Sequence, residues 1–156
     1  MTPAQISAQL HSAIDEGLQC FAGVDETRTT KRPSPDKWCA REVIGHLIDS
    51  ACTNHRRFVL GQGADLRTFD GYQQDEWVSR QHYDRVPWRD LVALWTSYNR
   101  HLAHVIGCAP GETLSHVAES PDGNRVTLGF VMEDYVTHMQ HHLDQLRTLL
   151  AANTTN

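Results

Sequence analysis

The sequence predicts an all-α protein of four helices with a long connection between the second and the third. Four segments repeat apolar residues at three- and four-residue steps, and clusters of Pro and Gly separate them. With 156 residues, 40% hydrophobic and 21% charged, the chain can bury one core and leaves little room for a second domain. The first helix is expected from Pro3 to about Phe21, with Ile6, Leu10, Ile14 and Phe21 on one side. After it, Asp25 to Pro35 is polar and closes on Pro33-Ser34-Pro35, which no helix interior accepts.

The second helix is expected to begin near Cys39. Cys39-Ala40-Arg41-Glu42 has the spacing of a capping box, with sulfur in place of the usual hydroxyl oxygen. Val43, His46, Leu47, Ser50, Ala51, Asn54 and Phe58 then form one broad stripe before Gly61 and Gly63 end the helix. The third follows Pro87 and runs to Cys108, with Leu91, Leu94, Trp95, Tyr98, Leu102 and Val105 as its apolar side, and Pro110-Gly111 stops it. The fourth and longest starts at Thr127, a good N-cap, and carries Leu128, Val131, Met132, Tyr135, His138, Met139, His142, Leu146 and Leu149.

Two connections stand apart. Gln62 to Val86 is far longer than the usual link between helices and holds Phe69, Tyr72, Trp77 and Tyr83. It is expected to pack on the helices as a functional loop or crossover, with a short helical turn over Gln73 to Arg80. Between Ala109 and Val126, the run Pro121-Asp122-Gly123-Asn124 predicts a small hairpin. The tail from Asn153 to Asn156 is expected to fray.

Composition excludes several functions. Nineteen Asp and Glu against fourteen Lys and Arg give a net charge of −5, the wrong sign for gripping a phosphate backbone. The tight basic groups, Arg56-Arg57 and Lys31-Arg32, make no stripe, so no nucleic-acid partner is expected. No run approaches the roughly 18 apolar residues of a membrane span. The start, Met1 to Ile6, lacks the basic and apolar blocks of a secretory signal, so the expected location is the cytoplasm. Four cysteines without C-x-x-C spacing are expected as reduced, buried thiols.

Ten histidines, as many as glycines, carry the chemistry. His138 and His142 stand one helical turn apart, about 40° around the axis and about 6 Å along it, on the stripe that also holds Val131, Tyr135 and Leu146. Both rings therefore point inward. His46 lies on the corresponding stripe of the second helix, where a bundle can bring it opposite that pair. Three imidazoles with an open fourth position are the donor set of a catalytic metal site, and the other ring nitrogens need acceptors of their own. The competing reading makes each a core histidine bonded to a carbonyl. His141 flanks the pair, and His101 with His104 is a decoy pair on the third helix.

Rival motifs fail residue by residue. A zincin needs Glu where this chain has Met139, no Glu stands three positions before a His as in a di-iron bundle, and serine-hydrolase and nucleotide signatures are absent. No general base can be named: Asp49, Glu133 and Asp134 are all expected on solvated faces.

Three runs carry a resemblance: Trp38 to Asp49 with Gly45-His46-Leu47, Phe69 to Trp77, and Tyr135 to Leu146 with His138, His141, His142 and Gln145. Together they resemble the DinB/YfiT-like superfamily from about residue 5 to 150. The resemblance implies one domain over residues 1–156, a four-helix bundle, commonly homodimeric, and a divalent metal held by His46, His138 and His142. Zinc or nickel leads, with manganese and iron compatible. Members with known reactions are mostly transferases or isomerases using bacillithiol, mycothiol or glutathione, so the chain is expected to be a thiol-dependent S-transferase or hydrolase acting on a small molecule. The alternative is a non-catalytic, metal-dependent small-molecule binding or stress-response module. Cys39 departs from the Ser or Thr usual after the Trp, which touches the helix cap and not the metal site. Tyr72 and Trp77 are candidates to wall a thiol pocket.

Overall fold

The computed structural model describes residues 1–63 and 67–152; the expected frayed tail and part of the long connection lie outside them. Among the described residues there are five α-helices: α1 (Pro3–Phe21), α2 (Ala40–Gly63), α3 (Gln74–Gln81), α4 (Trp88–Gly107) and α5 (Leu128–Ala152). The four long ones form a four-helix bundle in which α4 and α5 each pack on both α1 and α2. The first two helices of the chain thus lie diagonally across the bundle. None of the helices is long and apolar enough to cross a membrane.

Local chemistry starts these helices where the sequence says it should. Thr2 accepts from the Gln5 amide at 3.2 Å while the Gln5 side chain accepts from the Thr2 amide at 2.8 Å, a complete capping box ahead of Pro3. On α2 half the box is present, Glu42 accepting from the Cys39 amide at 2.9 Å. Thr127 caps α5 by accepting from the Phe130 amide at 3.1 Å. The helices close around Ile6, Leu10, Ile14, Ile44, Phe58, Trp95, Leu102, Ile106, Met132 and Met139, all fully buried. Gly17 permits a close approach in this core, since a Cβ there would sit 2.6 Å from the Trp95 ring.

The long connection is more structured than a loop with one turn. Residues Arg67–Thr68 form β1, which pairs in parallel with β2 (Val117–Glu119), and β2 pairs antiparallel with β3 (Arg125–Thr127) in the expected hairpin. Phe69 donates its amide to the Glu119 carbonyl at 2.8 Å and is itself buried. The two excursions from the bundle are thereby tied into one cover. Helix α3 follows within one residue of the short helical turn expected over Gln73 to Arg80, and the 3₁₀ turn Tyr83–Arg85 lies against α2.

This packing overturns three expectations. Asp49 is not solvated but 3% exposed, because Gln81 and Tyr83 of the connection cover the outer side of α2. Leu94, placed on the apolar side of its helix, is 51% exposed, since the buried stripe of α4 runs through Leu91, Trp95 and Leu102. Of the four thiols only Cys39 is buried; Cys20 is half-buried and Cys52 and Cys108 are exposed.

Candidate metal centre and its cleft

Helices α2 and α5 run antiparallel, so residue numbers fall along one as they rise along the other: His46 meets His138, and Gly61 meets Leu128. The ring centroids of His46, His138 and His142 lie 5.2, 4.7 and 4.6 Å apart pairwise. One nitrogen from each falls within 4.8 Å of the others, the one such group of three among the described residues. His46 is fully buried and the other two half-buried. The three histidines that periodicity turns inward come together from two helices.

The donor set fits a divalent ion. Two nitrogens bound at about 2.05 Å to one tetrahedral centre stand about 3.3 Å apart, and the Nε2 atoms of His46 and His138 are separated by 3.2 Å. His142 donates from Nδ1 to Gln145 Oε1 at 2.8 Å, which leaves its Nε2 lone pair free for the cluster. Gln145 is the acceptor a ligating imidazole needs. His46 lacks one: its Nδ1 is buried without a hydrogen-bond partner among the described residues, and the Trp38 ring lies 5.1 Å away, centroid to centroid.

Electrostatics keeps the rings neutral, as ligation requires. Burial, followed by the neighbouring His142 and His138, lowers the pKa of His46 to about 3. His138 is lowered to about 4, again chiefly by burial, and His142 in the same direction.

His138 forms one end of a cleft of about 320 Å³ between α2, α5 and the sheet cover. Ser50, Asn54 and Arg57 line it from α2, Asp134 and Tyr135 from α5, and Tyr72 from the connection. Gly71 closes the cover against the hairpin, where a Cβ would lie 3.2 Å from Pro121. Tyr72 also faces a second cleft that Trp77 lines, and the two rings lie 5.0 Å apart, so the two aromatics singled out from sequence do wall cavities. Burial pushes the Tyr72 phenol up to about 12, so it stays protonated.

Other candidates go elsewhere. His101 and His104 are exposed, the first ring 5.1 Å from His55, and His141 is exposed beside His142. Asp49 accepts from the Tyr83 hydroxyl and the Gln81 amide, each at 2.7 Å, and does not line the cleft. Arg57 was overlooked as half of a short basic pair. Its signal was present: eleven residues of helix turn it back to within about 20° of His46, on the face that also holds Ser50 and Asn54.

Comparison with known proteins agrees with this architecture. A protein of Halalkalibacterium halodurans named "Putative metal-dependent hydrolase" is 24% identical over 127 residues, 81% of this chain and 74% of that one. Proteins of Bacillus cereus and Bacillus anthracis bearing that name are 21% identical over 112 residues, and the match spans 72% of this chain and just 64% of theirs. Among solved structures, YfiT from Bacillus subtilis, described as a probable metal-dependent hydrolase with an unusual four-helix bundle topology, superposes with a TM-score of 0.87 at 17% identity over 99% of this chain and 89% of its own. That likeness establishes the fold. The profile of the DinB superfamily matches residues 9–146, and the chain belongs to that superfamily.

Proposed function

We propose that the protein is a divalent-metal-dependent enzyme, a hydrolase or a thiol-dependent S-transferase, with His46, His138 and His142 as the metal ligands. One observation carries the reading: one buried and two half-buried imidazoles from two helices, all held neutral, converge where a cleft begins. The names of the related proteins support the metal-dependent class.

A divalent ion held there would act as a Lewis acid and lower the pKa of a water or thiol into the neutral range. The protein supplies the rest. Gln145 fixes the His142 tautomer, burial excludes competing protons from all three rings, and Trp38 closes the side of His46. Asp134 lies one turn before His138 on the same cleft and is the carboxylate placed to take a proton from a nucleophile. Asp49 is unsuited to that task because both Tyr83 and Gln81 occupy it. A homodimer belongs to the same proposal, with light scattering as its check.

Elemental analysis of tag-free protein beside His46→Ala, His138→Ala and His142→Ala tests the ligands. The expected result is near one metal per chain, lost in all three variants while circular dichroism keeps the helical signal. Reconstituted protein is then assayed with an electrophile, with and without a low-molecular-weight thiol, and with ester and amide substrates. Thiol-dependent product identifies a transferase and thiol-independent cleavage a hydrolase. Absence of metal after reconstitution would end the proposal, and bound metal without any product would leave a non-catalytic binding module.

A further inference from the structure

The cleft holds a cation, Arg57, that has no ion pair among the described residues. Arg57 is half-buried on α2. Its Nη2 donates to the Asp70 carbonyl at 2.8 Å and its Nη1 lies 3.5 Å from the Asn54 amide oxygen, while the guanidinium rests 5.6 Å from the centre of the buried Phe69 ring. These contacts fix its orientation without pairing its charge, on which Asp70 acts from beyond ion-pair distance. Among the described residues no carboxylate lies within ion-pair distance of it; the Asp70 carboxylate instead faces Arg56 at 3.6 Å. Its Nε is buried without a partner among the described residues. Holding a partly desolvated guanidinium in one place, unpaired, costs stability, and such an arrangement is expected where a ligand supplies the anion.

We infer that Arg57 anchors the anionic end of the substrate, and that this anion is a carboxylate on an elongated molecule whose other, reactive end lies at the three histidines. The inference rests on the proposed function for the placement of the reactive end. Eleven residues separate His46 from Arg57, roughly 16 Å of rise along α2. Long helical side chains lean back toward the N-terminus, which shortens the gap between guanidinium and imidazoles. The substrate therefore needs a spacer of several bonds between its two ends. Ser50 and Asn54 lie on the same helix face between them and offer polar contacts to that spacer.

A monoanion fits better than phosphate. The guanidinium fork matches a planar carboxylate, and among the described residues Arg57 is the one Lys or Arg lining this cleft, whose exposed edge bears Asp134. A phosphate dianion would meet one positive charge and one negative.

Titration calorimetry with 6-mercaptohexanoate and its neutral amide, 6-mercaptohexanamide, tests this on the zinc-loaded and the metal-free protein, with inorganic phosphate and acetate as competitors. Wild type is expected to bind the carboxylate at least about tenfold more tightly than the amide, the scale of one charge-assisted hydrogen bond. In Arg57→Gln the ratio should fall to about one, and in Arg57→Lys, which keeps the charge and loses the fork, to an intermediate value. A ratio near one in wild type, no binding of either probe, a preference that survives Arg57→Gln, or stronger competition by phosphate than by acetate would each overturn the inference. Metal content, read separately, distinguishes the two proposals. A carboxylate preference lost in Arg57→Gln in protein that takes up no metal would sink the metal reading alone; bound metal without the preference would sink this one alone.

Discussion

His46 is 0% exposed and surrounded by two other imidazoles and an indole, so a proton on it would be a buried charge beside basic neighbours. Unfolded, the same ring titrates near its ordinary 6.5; folded, near 3. Between those values the unfolded chain binds the additional proton, and acid draws the equilibrium toward it. His138, at about 4, and His142 act with the same sign. The stability that depends on neutral histidines is complete above pH 6.5 and is lost as the pH falls through this window. Asp49 opposes it, because burial raises its pKa and the folded state takes up that proton more readily. His55, lowered by burial and by His101, adds to the three; with four groups against one, the metal-free protein is expected to melt at progressively lower temperature from about pH 6.5 toward pH 4, and a melting temperature unchanged over that range would contradict the neutral cluster. Gly45, next to His46, is a steric test of the covering connection. A Cβ there would lie 2.1 Å from the Tyr83 ring. Gly45→Ala gains up to about 1 kcal/mol of helix propensity and loses about 1–3 kcal/mol to overpacking, so urea denaturation should show a net loss of stability.

Helix α5 carries two of the three histidines; the Leu128 amide donates to the His116 carbonyl at 2.9 Å, and the first turn is also capped by one exposed hydroxyl. Removing it in Thr127→Ala should cost about 1 kcal/mol, while Thr127→Ser should keep most of the cap; equal urea midpoints for all three proteins would show that the hairpin alone holds this end. The ends of the long helices were legible in the sequence because Pro3, Pro87, Gly63 and Thr127 act locally, within a turn of the residues they start or stop. The cover was not legible for the opposite reason. Strand β1 is two residues long and its partner Ala118 lies some fifty positions onward, so no periodicity reveals it. Asp49 was misplaced by the same omission, since helical spacing reports one buried face and the second face of α2 is buried by a connection whose path spacing does not describe. Leu94 is apolar and exposed, a reminder that apolar residues also belong to surfaces.

Across the whole molecule the histidine cluster joins α2 to α5 at one end of the bundle, while the sheet joins their other excursions over the cleft. The cluster was readable because His46 and the His138–His142 pair lie on stripes that any bundle must turn inward; Arg57 was not, because its isolation from carboxylates depends on where Asp70 and the cover come to rest. Ligands on two helices also make an ion a cross-link between elements far apart in sequence. An ion that binds only the folded arrangement stabilises it by RT ln(1 + [L]/Kd), about 2.7 kcal/mol at a hundredfold excess over Kd. For a chain of this size each kcal/mol moves the melting temperature by about 2–4 °C, so zinc should raise it by roughly 5–10 °C. The rise should disappear with chelator and in His46→Ala and His138→Ala, because each removes a ligand from a different helix and leaves the ion unable to bridge them. Should zinc raise the melting temperature of both variants as much as that of the wild type, the ion would be binding elsewhere, and the convergence of the three imidazoles would have to be explained as core packing.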